Sequence, residues 1–210
     1  MKKLFFAAAA LMLATSVSAQ EAGEFRFGIN AGMNISSANL DADHSSKVGF
    51  NAGVIGEYNI TENVFVNAGL KYSQRGVKDV SVAYTDGYDV YTDKLKWNPG
   101  YIEMPIHAGY RYAFSDSFKG FAEFGPYFAY AVSGSIEDSY GGSVGLYDDW
   151  VENFMGCKYN RFEFGLGGAV GIEFSKVQVK AGYDFGVTKI WDVNNGAKNS
   201  NFYVGIGYMF

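Results

Sequence analysis

Few side chains in this sequence have the types and spacing that chemistry needs. His44 and His107 are its two histidines and Cys157 its single cysteine. His44-Ser45-Ser46 sets an imidazole two residues from a hydroxyl, the pairing that activates a serine nucleophile. No acid dedicated to orienting the ring is evident, and a serine-rich turn is the other reading. Two separated histidines and one cysteine do not make a zinc site, and a free surface thiol is the reading for Cys157. Gly165-Leu-Gly-Gly-Ala-Val170 begins like a dinucleotide loop, but Val170 stands where the third glycine belongs. Asp86 and Asp89, or Asp148, Asp149 and Glu152, are either solvated loop acids or ligands for a divalent ion. These residues lead us to expect no catalytic residue, no metal and no cofactor.

Most other titratable residues keep step with extended segments. Period-two alternation broken by turn residues predicts eight strands, at about 24–35, 47–58, 64–75, 100–112, 120–132, 161–174, 177–187 and 201–210. One face of each is apolar: Phe25, Phe27, Ile29 and Met33 in the first, Val64, Val66 and Leu70 in the third, Phe162, Phe164, Leu166 and Val170 in the sixth. The opposite face carries Arg26, Lys71, Arg75, Arg111, Arg161 and Lys180 together with Glu57, Glu103, Glu123, Glu163, Glu173 and Asp184. His107 falls on that face between Glu103 and Arg111, where a hydrogen-bonded core imidazole is expected. A slip of one residue would turn a whole strand over.

The connections alternate in length. Segments 36–46, 77–97, 134–160 and 188–200 are long, whereas 59–63, 114–118 and 175–176 are short. Bacterial transmembrane barrels have this rhythm, with short turns on one side of the membrane and long loops on the other. An apolar outer face with a charged inner face is the inverse of a soluble lipocalin-type barrel. The expected fold is therefore all-β: an eight-stranded antiparallel up-and-down transmembrane β-barrel. The interior of such a barrel is just wide enough for side chains to fill it. Balanced charges there can pair, which favours a plugged lumen; a narrow ion path through a rearranged network is the alternative.

The ends and composition agree. Residues 1–19 have a basic start at Lys2 and Lys3, a short apolar core, and Val17-Ser18-Ala19 as a small-residue cleavage site, so 1–19 is expected to be a secretory signal and 20–210 the barrel. Losing those two lysines takes the formal net charge from −5 to −7, which argues against nucleic acid as a partner. Gly is high at 27 and Pro low at 3, as many closely paired strands require. The last strand alternates Phe202, Val204, Ile206, Tyr208 and Phe210. An apolar strand ending at Tyr208 and Phe210 resembles the last strand of bacterial outer-membrane β-barrels, and the resemblance implies that barrel-assembly machinery reads it.

Tyr101-Ile-Glu-Met-Pro-Ile-His-Ala-Gly-Tyr-Arg-Tyr112 resembles the strand of PorT-like outer-membrane β-barrel proteins that reads Tyr, Ile or Leu, Glu, then Ile, Met or Val, and Pro. Glu123-Phe-Gly-Pro-Tyr127 is similar to that family's following strand, and Gly28-Ile-Asn-Ala-Gly-Met-Asn34 to its opening one. Size and strand count also resemble the small OmpA/OmpX-type barrels. The resemblance implies a Gram-negative outer membrane location with both termini periplasmic. It also implies contact with outer-membrane lipid and lipopolysaccharide, and no particular chemistry, because such families share a scaffold more than an activity.

Function is then expected in the loops. The second carries Tyr84, Tyr88 and Tyr91, and the third Tyr140, Tyr147, Trp150, Phe154 and Tyr159. Such rings suit a binding surface for an unidentified external ligand. Equally, they can fold over the barrel mouth or extend the strands above the membrane. The expected function is a non-enzymatic barrel with a filled lumen and external loops for envelope stability or surface binding. The alternative is a small channel or a component of a transport or secretion assembly.

Overall fold

The computed structural model describes residues 22–40, 43–85, 88, 90–148, 158–191 and 196–210. The signal segment, Cys157, Trp150, Asp86, Asp89, Asp149, Glu152 and Phe154 lie outside the described residues. Among the described residues twelve strands follow one another: β1 Phe25–Ala38, β2 Ser45–Asn59, β3 Val64–Gln74, β4 Val77–Thr85, β5 Val90–Trp97, β6 Gly100–Ser115, β7 Phe118–Ser133, β8 Ser135–Glu137, β9 Ser143–Gly145, β10 Phe162–Phe174, β11 Val177–Gly186 and β12 Asn199–Met209.

Eight of them form a closed antiparallel barrel in the order β1-β2-β3-β6-β7-β10-β11-β12. Closure is made by β12 on β1, from Gly28 opposite Met209 to Ala38 opposite Asn199. Phe210 continues it by donating its N–H to the Phe27 carbonyl at 2.7 Å, while on the other side Met209 donates to the Lys176 carbonyl at 2.8 Å. Closure pairs every strand on both sides, which is what a sheet must do to sit in hydrocarbon. The eight barrel strands agree with the eight predicted segments to within a few residues at their ends.

Alternation within each strand sorts the side chains. Ile29, Met33, Val48, Phe50, Leu70, Phe124, Val170 and Ile206 point outward and are exposed. On a soluble protein so large an apolar surface would be untenable; here it is the lipid-facing band. Along β10 the outward residues run from Phe162 to Phe174, about 40 Å along the strand and about 30 Å along the barrel axis at a tilt of about 40°. Rings gather at both margins. Tyr112 and Phe114 meet at 5.2 Å, Phe114 and Phe118 at 5.4 Å, and Tyr208 and Phe210 at 5.4 Å at the turn end. Phe50 with Tyr72, and Phe128 with Phe164, meet nearer the loop end.

The turns are tied locally. The Thr61 hydroxyl accepts the Val64 N–H at 2.9 Å, the Ser115 hydroxyl accepts the Phe118 N–H at 3.2 Å, and Ser175 takes a φ of 55° in the two-residue turn between β10 and β11.

Segment 77–97, expected as a loop, is instead a hairpin. β4 pairs with β5, with Tyr84 opposite Tyr91, and the register shifts between Val77 and Val80. The hairpin is anchored to the barrel by Ser45 opposite Lys78 and Ser46 opposite Val77. On its other side β5 meets β8 through Trp97 opposite Ile136, and β8 pairs with β9. This annex closes over a second core. Val77, Val80, Trp97, Ile136, Leu146, Tyr159, Ile190 and Trp191 are buried with Tyr101, Tyr127 and Ala131 of the barrel wall. Trp191 lies edge-on to Trp97 at 5.1 Å and to Tyr159 at 5.0 Å. Of the two readings of the loop aromatics, Tyr147 and Tyr159 of the third loop take the roofing role, whereas Tyr140 is exposed.

Candidate functional site

The inward face of the barrel holds three groups of charges. At the turn end, Arg26 reaches Glu57 at 2.5 Å and Glu173 at 3.0 Å. Arg111 places one Nη 2.7 Å from both Glu57 oxygens and stands 4.4 Å over the Phe65 ring. Gln178 donates to Glu173 at 2.7 Å. Two guanidiniums thus share Glu57, using the fork geometry that favours arginine over lysine in such places.

The middle group is centred on Glu123. Lys180 donates to it at 2.8 Å, Asn67 at 2.7 Å, and His107 Nδ1 lies 3.6 Å away. A cavity of about 30 Å³ borders this group, lined by Asn30, Asn51, Lys71, His107 and Tyr203 among others. That is room for about one or two waters. His107 Nε2 and Asn30 Oδ1 have no hydrogen-bond partner among the described residues and face the need such a water meets.

The loop-end group is built on Arg75, which is fully buried. Its guanidinium meets Glu163 at 3.0 Å, Asp184 at 3.0 Å, and Glu103. Lys71 holds the other oxygen of Glu103 at 2.8 Å. The Tyr127 hydroxyl donates to Glu163 at 2.6 Å, Asn199 donates to the same carboxylate, and Asn201 donates to Asp184 at 3.3 Å. Above it the Tyr101 and Tyr159 hydroxyls meet at 2.5 Å, joining the charged interior to the aromatic roof.

Twelve of the thirteen residues expected inside therefore come together there. Arg161 does not. β10 begins one residue later, and Arg161 lies exposed on the rim with its guanidinium 4.0 Å over the Tyr147 ring. Strand parity assigns a face only while the residue is part of the wall. The charge list also omitted Lys47, which is buried at the loop end and donates to the Arg75 carbonyl at 3.1 Å. Its signal was available, since Lys47 shares odd parity with Glu57 along β2. Parity likewise marks Asn34, Asn51, Asn67, Ser73, Asn199 and Asn201, all buried. Asn51 donates to Asn34 at 2.6 Å, and Asn34 to Ser73 at 3.1 Å.

The remaining candidates scatter. Tyr88 is almost fully exposed near the tip of the β4–β5 hairpin. Tyr147 is half-buried in the roof, donates to the Ser133 carbonyl at 3.2 Å and packs on Tyr159 at 5.4 Å. His44 Nε2 meets the Ser37 hydroxyl at 3.1 Å, across the first loop.

A family model described as outer membrane protein beta-barrel domain matches residues 18–192. Nothing matches among curated proteins. Among solved structures the chain is similar to Neisserial surface protein A, at 16% identity over 89% of this chain and 97% of that one, with a TM-score of 0.46. It is similar to OprG from Pseudomonas aeruginosa at 13% identity over 92% and 99%, TM-score 0.46. It is also similar to Ail, the attachment invasion locus protein of Yersinia pestis, at 14% identity over 90% and 99%, TM-score 0.39. With a family match over most of its length, a closed eight-stranded wall and an apolar outer band, this chain belongs to the outer membrane protein beta-barrel domain family.

Proposed function

We propose that this outer-membrane protein is a non-enzymatic, non-conducting barrel whose loop end works at the cell surface, in envelope stability or in binding. The observation that carries this reading is Arg75. It is seated among Glu103, Glu163 and Asp184 with no solvent exposure, directly beneath the roof formed by Tyr159, Trp97 and Trp191. An ion crossing the lumen would have to break a multiply bonded, desolvated cluster and then lift an apolar lid. Each broken buried ion pair costs about 3–5 kcal/mol.

The orientation that goes with this reading puts the three short turns and both termini in the periplasm and the annex outside. In the same reading the assembly machinery recognises β12, with Tyr208 and Phe210 at its end. Outer-membrane lipid and lipopolysaccharide are the immediate partners of the apolar band, and the external ligand of the surface hairpin is still to be identified.

Planar-bilayer recording tests the reading. Protein refolded to the form whose unboiled band migrates differently on a gel should give no conductance steps. Reproducible single-channel steps from that same folded material would overturn it in favour of a channel through the charged interior.

A further inference from the structure

Lys47 is a buried charge that forms no ion pair among the described residues. It is only 4% exposed, and its ammonium donates to the Arg75 carbonyl at 3.1 Å. A carbonyl accepts one of the three ammonium protons and leaves the charge unneutralised. The charges that act on Lys47 are those of Lys96 and Glu137. Glu137 is already engaged, by Lys96 at 2.9 Å on one oxygen and by Asn98 at 2.7 Å on the other. Lysine is almost never buried unless it is paired.

Lys47, Lys96 and Glu137 line one groove of about 650 Å³ at the root of the surface hairpin. It forms because the wall divides there. β2 and β3 pair as far as Asn51 opposite Ser73, and above that level β2 turns to β4, with Ser46 opposite Val77 and Ser45 opposite Lys78. Side chains hold the parting in a fixed shape. The Asn34 amide donates to the Phe50 and Gln74 carbonyls at 3.2 and 3.0 Å, and the Ser36 hydroxyl donates to the Gly76 carbonyl at 3.1 Å. On the other flank the Asn98 N–H donates to the Ser135 carbonyl at 2.9 Å.

The lining has a definite chemistry. Lys78 is the third cation; it is exposed and makes no ion pair among the described residues. Three ammoniums against one carboxylate leave a positive excess, on a chain whose formal net charge is −5. Most of the remaining lining is amide and hydroxyl, from Gln74, Asn98, Ser133 and Ser135, with Tyr72 beside them. A bare inorganic anion would use the lysines and leave these groups idle. Amides and hydroxyls both donate and accept, as sugar hydroxyls do. The volume lies within the range of about 300–1,000 Å³ usual for small-ligand sites.

We propose that this groove binds an acidic sugar, with Lys47 and Lys78 facing its carboxylate or phosphate and the amides and hydroxyls meeting its ring hydroxyls. The inference deepens the surface-binding reading above and rests on it, because the loop end must face outward to meet such a ligand. The sugar arrives free or as the head of a glycolipid: Val48, the last apolar outward residue of β2, brings the lipid-facing band to the edge of the groove.

Saturation-transfer NMR of the refolded barrel in neutral detergent tests the site, with glucuronic acid, glucose 1-phosphate and glucose as probes. The acidic sugars should bind and glucose should not. Inorganic phosphate should displace glucose 1-phosphate only in at least about tenfold excess. Displacement by bis-phosphorylated lipid A would assign the ligand to a lipid head, and its failure to displace would assign it to a free sugar. Lys47→Met with Lys78→Gln should weaken binding at least about tenfold, the scale of one lost charge-assisted hydrogen bond. Lys94→Gln with Lys176→Gln, the same charge change outside the groove, should bind as wild type does. Equal binding of glucose, displacement by phosphate at parity, no loss in the first variant or equal loss in the second would each overturn the site. The gel shift shows whether each variant has closed its barrel. If the first does not close, the exposed single variant Lys78→Glu carries the test with the same two outcomes. Detergent has no sides, so a wrong orientation cannot cause failure here. Labelling of Tyr140→Cys on intact cells, in a Cys157→Ser background, reads the orientation separately.

Discussion

Arg75 and Arg161 show how little a residue's type says about its worth. Both are arginines on the face that alternation assigns to the interior. Arg75 sits at zero exposure among three carboxylates; Arg161 lies on the rim over a tyrosine. Replacing Arg75 by Gln leaves Glu103, Glu163 and Asp184 crowded around Lys71 alone. We expect a loss of about 3–5 kcal/mol, the cost of orphaning a buried charge. Urea unfolding in micelles, read by the gel shift, would show it. Arg161→Gln should leave the same midpoint unmoved, because an exposed cation gives up little. The difference was only partly legible in the sequence. Parity finds Arg75, Lys47 and the buried asparagines, but it cannot say where the wall stops, and Arg161 lies one residue before Phe162, the first residue of β10.

At the scale of elements, the annex is the part that reading by loops missed. Val80, Val82 and Tyr84 alternate as any strand does, but Asp79, at a φ of 57°, and the bulge beside it interrupt the pattern. Gly76 makes the exit from β3 possible. Its φ of 132° is one that side chains rarely adopt, and a Cβ there would meet the Trp97 carbonyl. Gly76→Ala should therefore disturb the hairpin's root by about 1–3 kcal/mol while the barrel still closes. Near-UV circular dichroism of the roof tryptophans should change, with the gel shift retained.

The roof also carries a pH signature. Burial, and after it the neighbouring Tyr101, raises the Tyr159 phenol well above its ordinary value of 10.0. The unfolded phenol ionises first, so the stabilisation is complete below about pH 10 and is lost as pH climbs from there toward the folded value. Absorbance of ionised tyrosine should show a late-titrating group, and near-UV dichroism of Trp97 and Trp191 should decay with it. Titration of all tyrosines near pH 10 without loss of that signal would contradict a buried Tyr159.

At the scale of the whole molecule, closure organises everything else. β12 pairs with both β11 and β1, so removing residues 199–210 would leave two long edges with nothing to satisfy their backbone groups in lipid. We expect that truncation to abolish the gel shift and insertion into vesicles. A truncated chain that still shows the shift would mean that the remaining strands can close without β12. Closure also explains how a strongly charged interior and a fully apolar exterior coexist in one sheet. Every strand serves both at once, one face to each.

The sequence by itself determined the barrel. Strand count, the long and short connections, and the apolar face of each strand all follow from period-two alternation. That signal is local, because adjacent side chains must point to opposite faces of any sheet. The inward charges could be named on the same ground. Which of them meet could not, since Arg26 and Glu173, or Arg75 and Asp184, lie more than a hundred residues apart and are joined only when the wall curves round and closes. The roof likewise exists only in the tertiary structure. It brings together separate connections, and its shape depends on contacts between segments that share no periodicity.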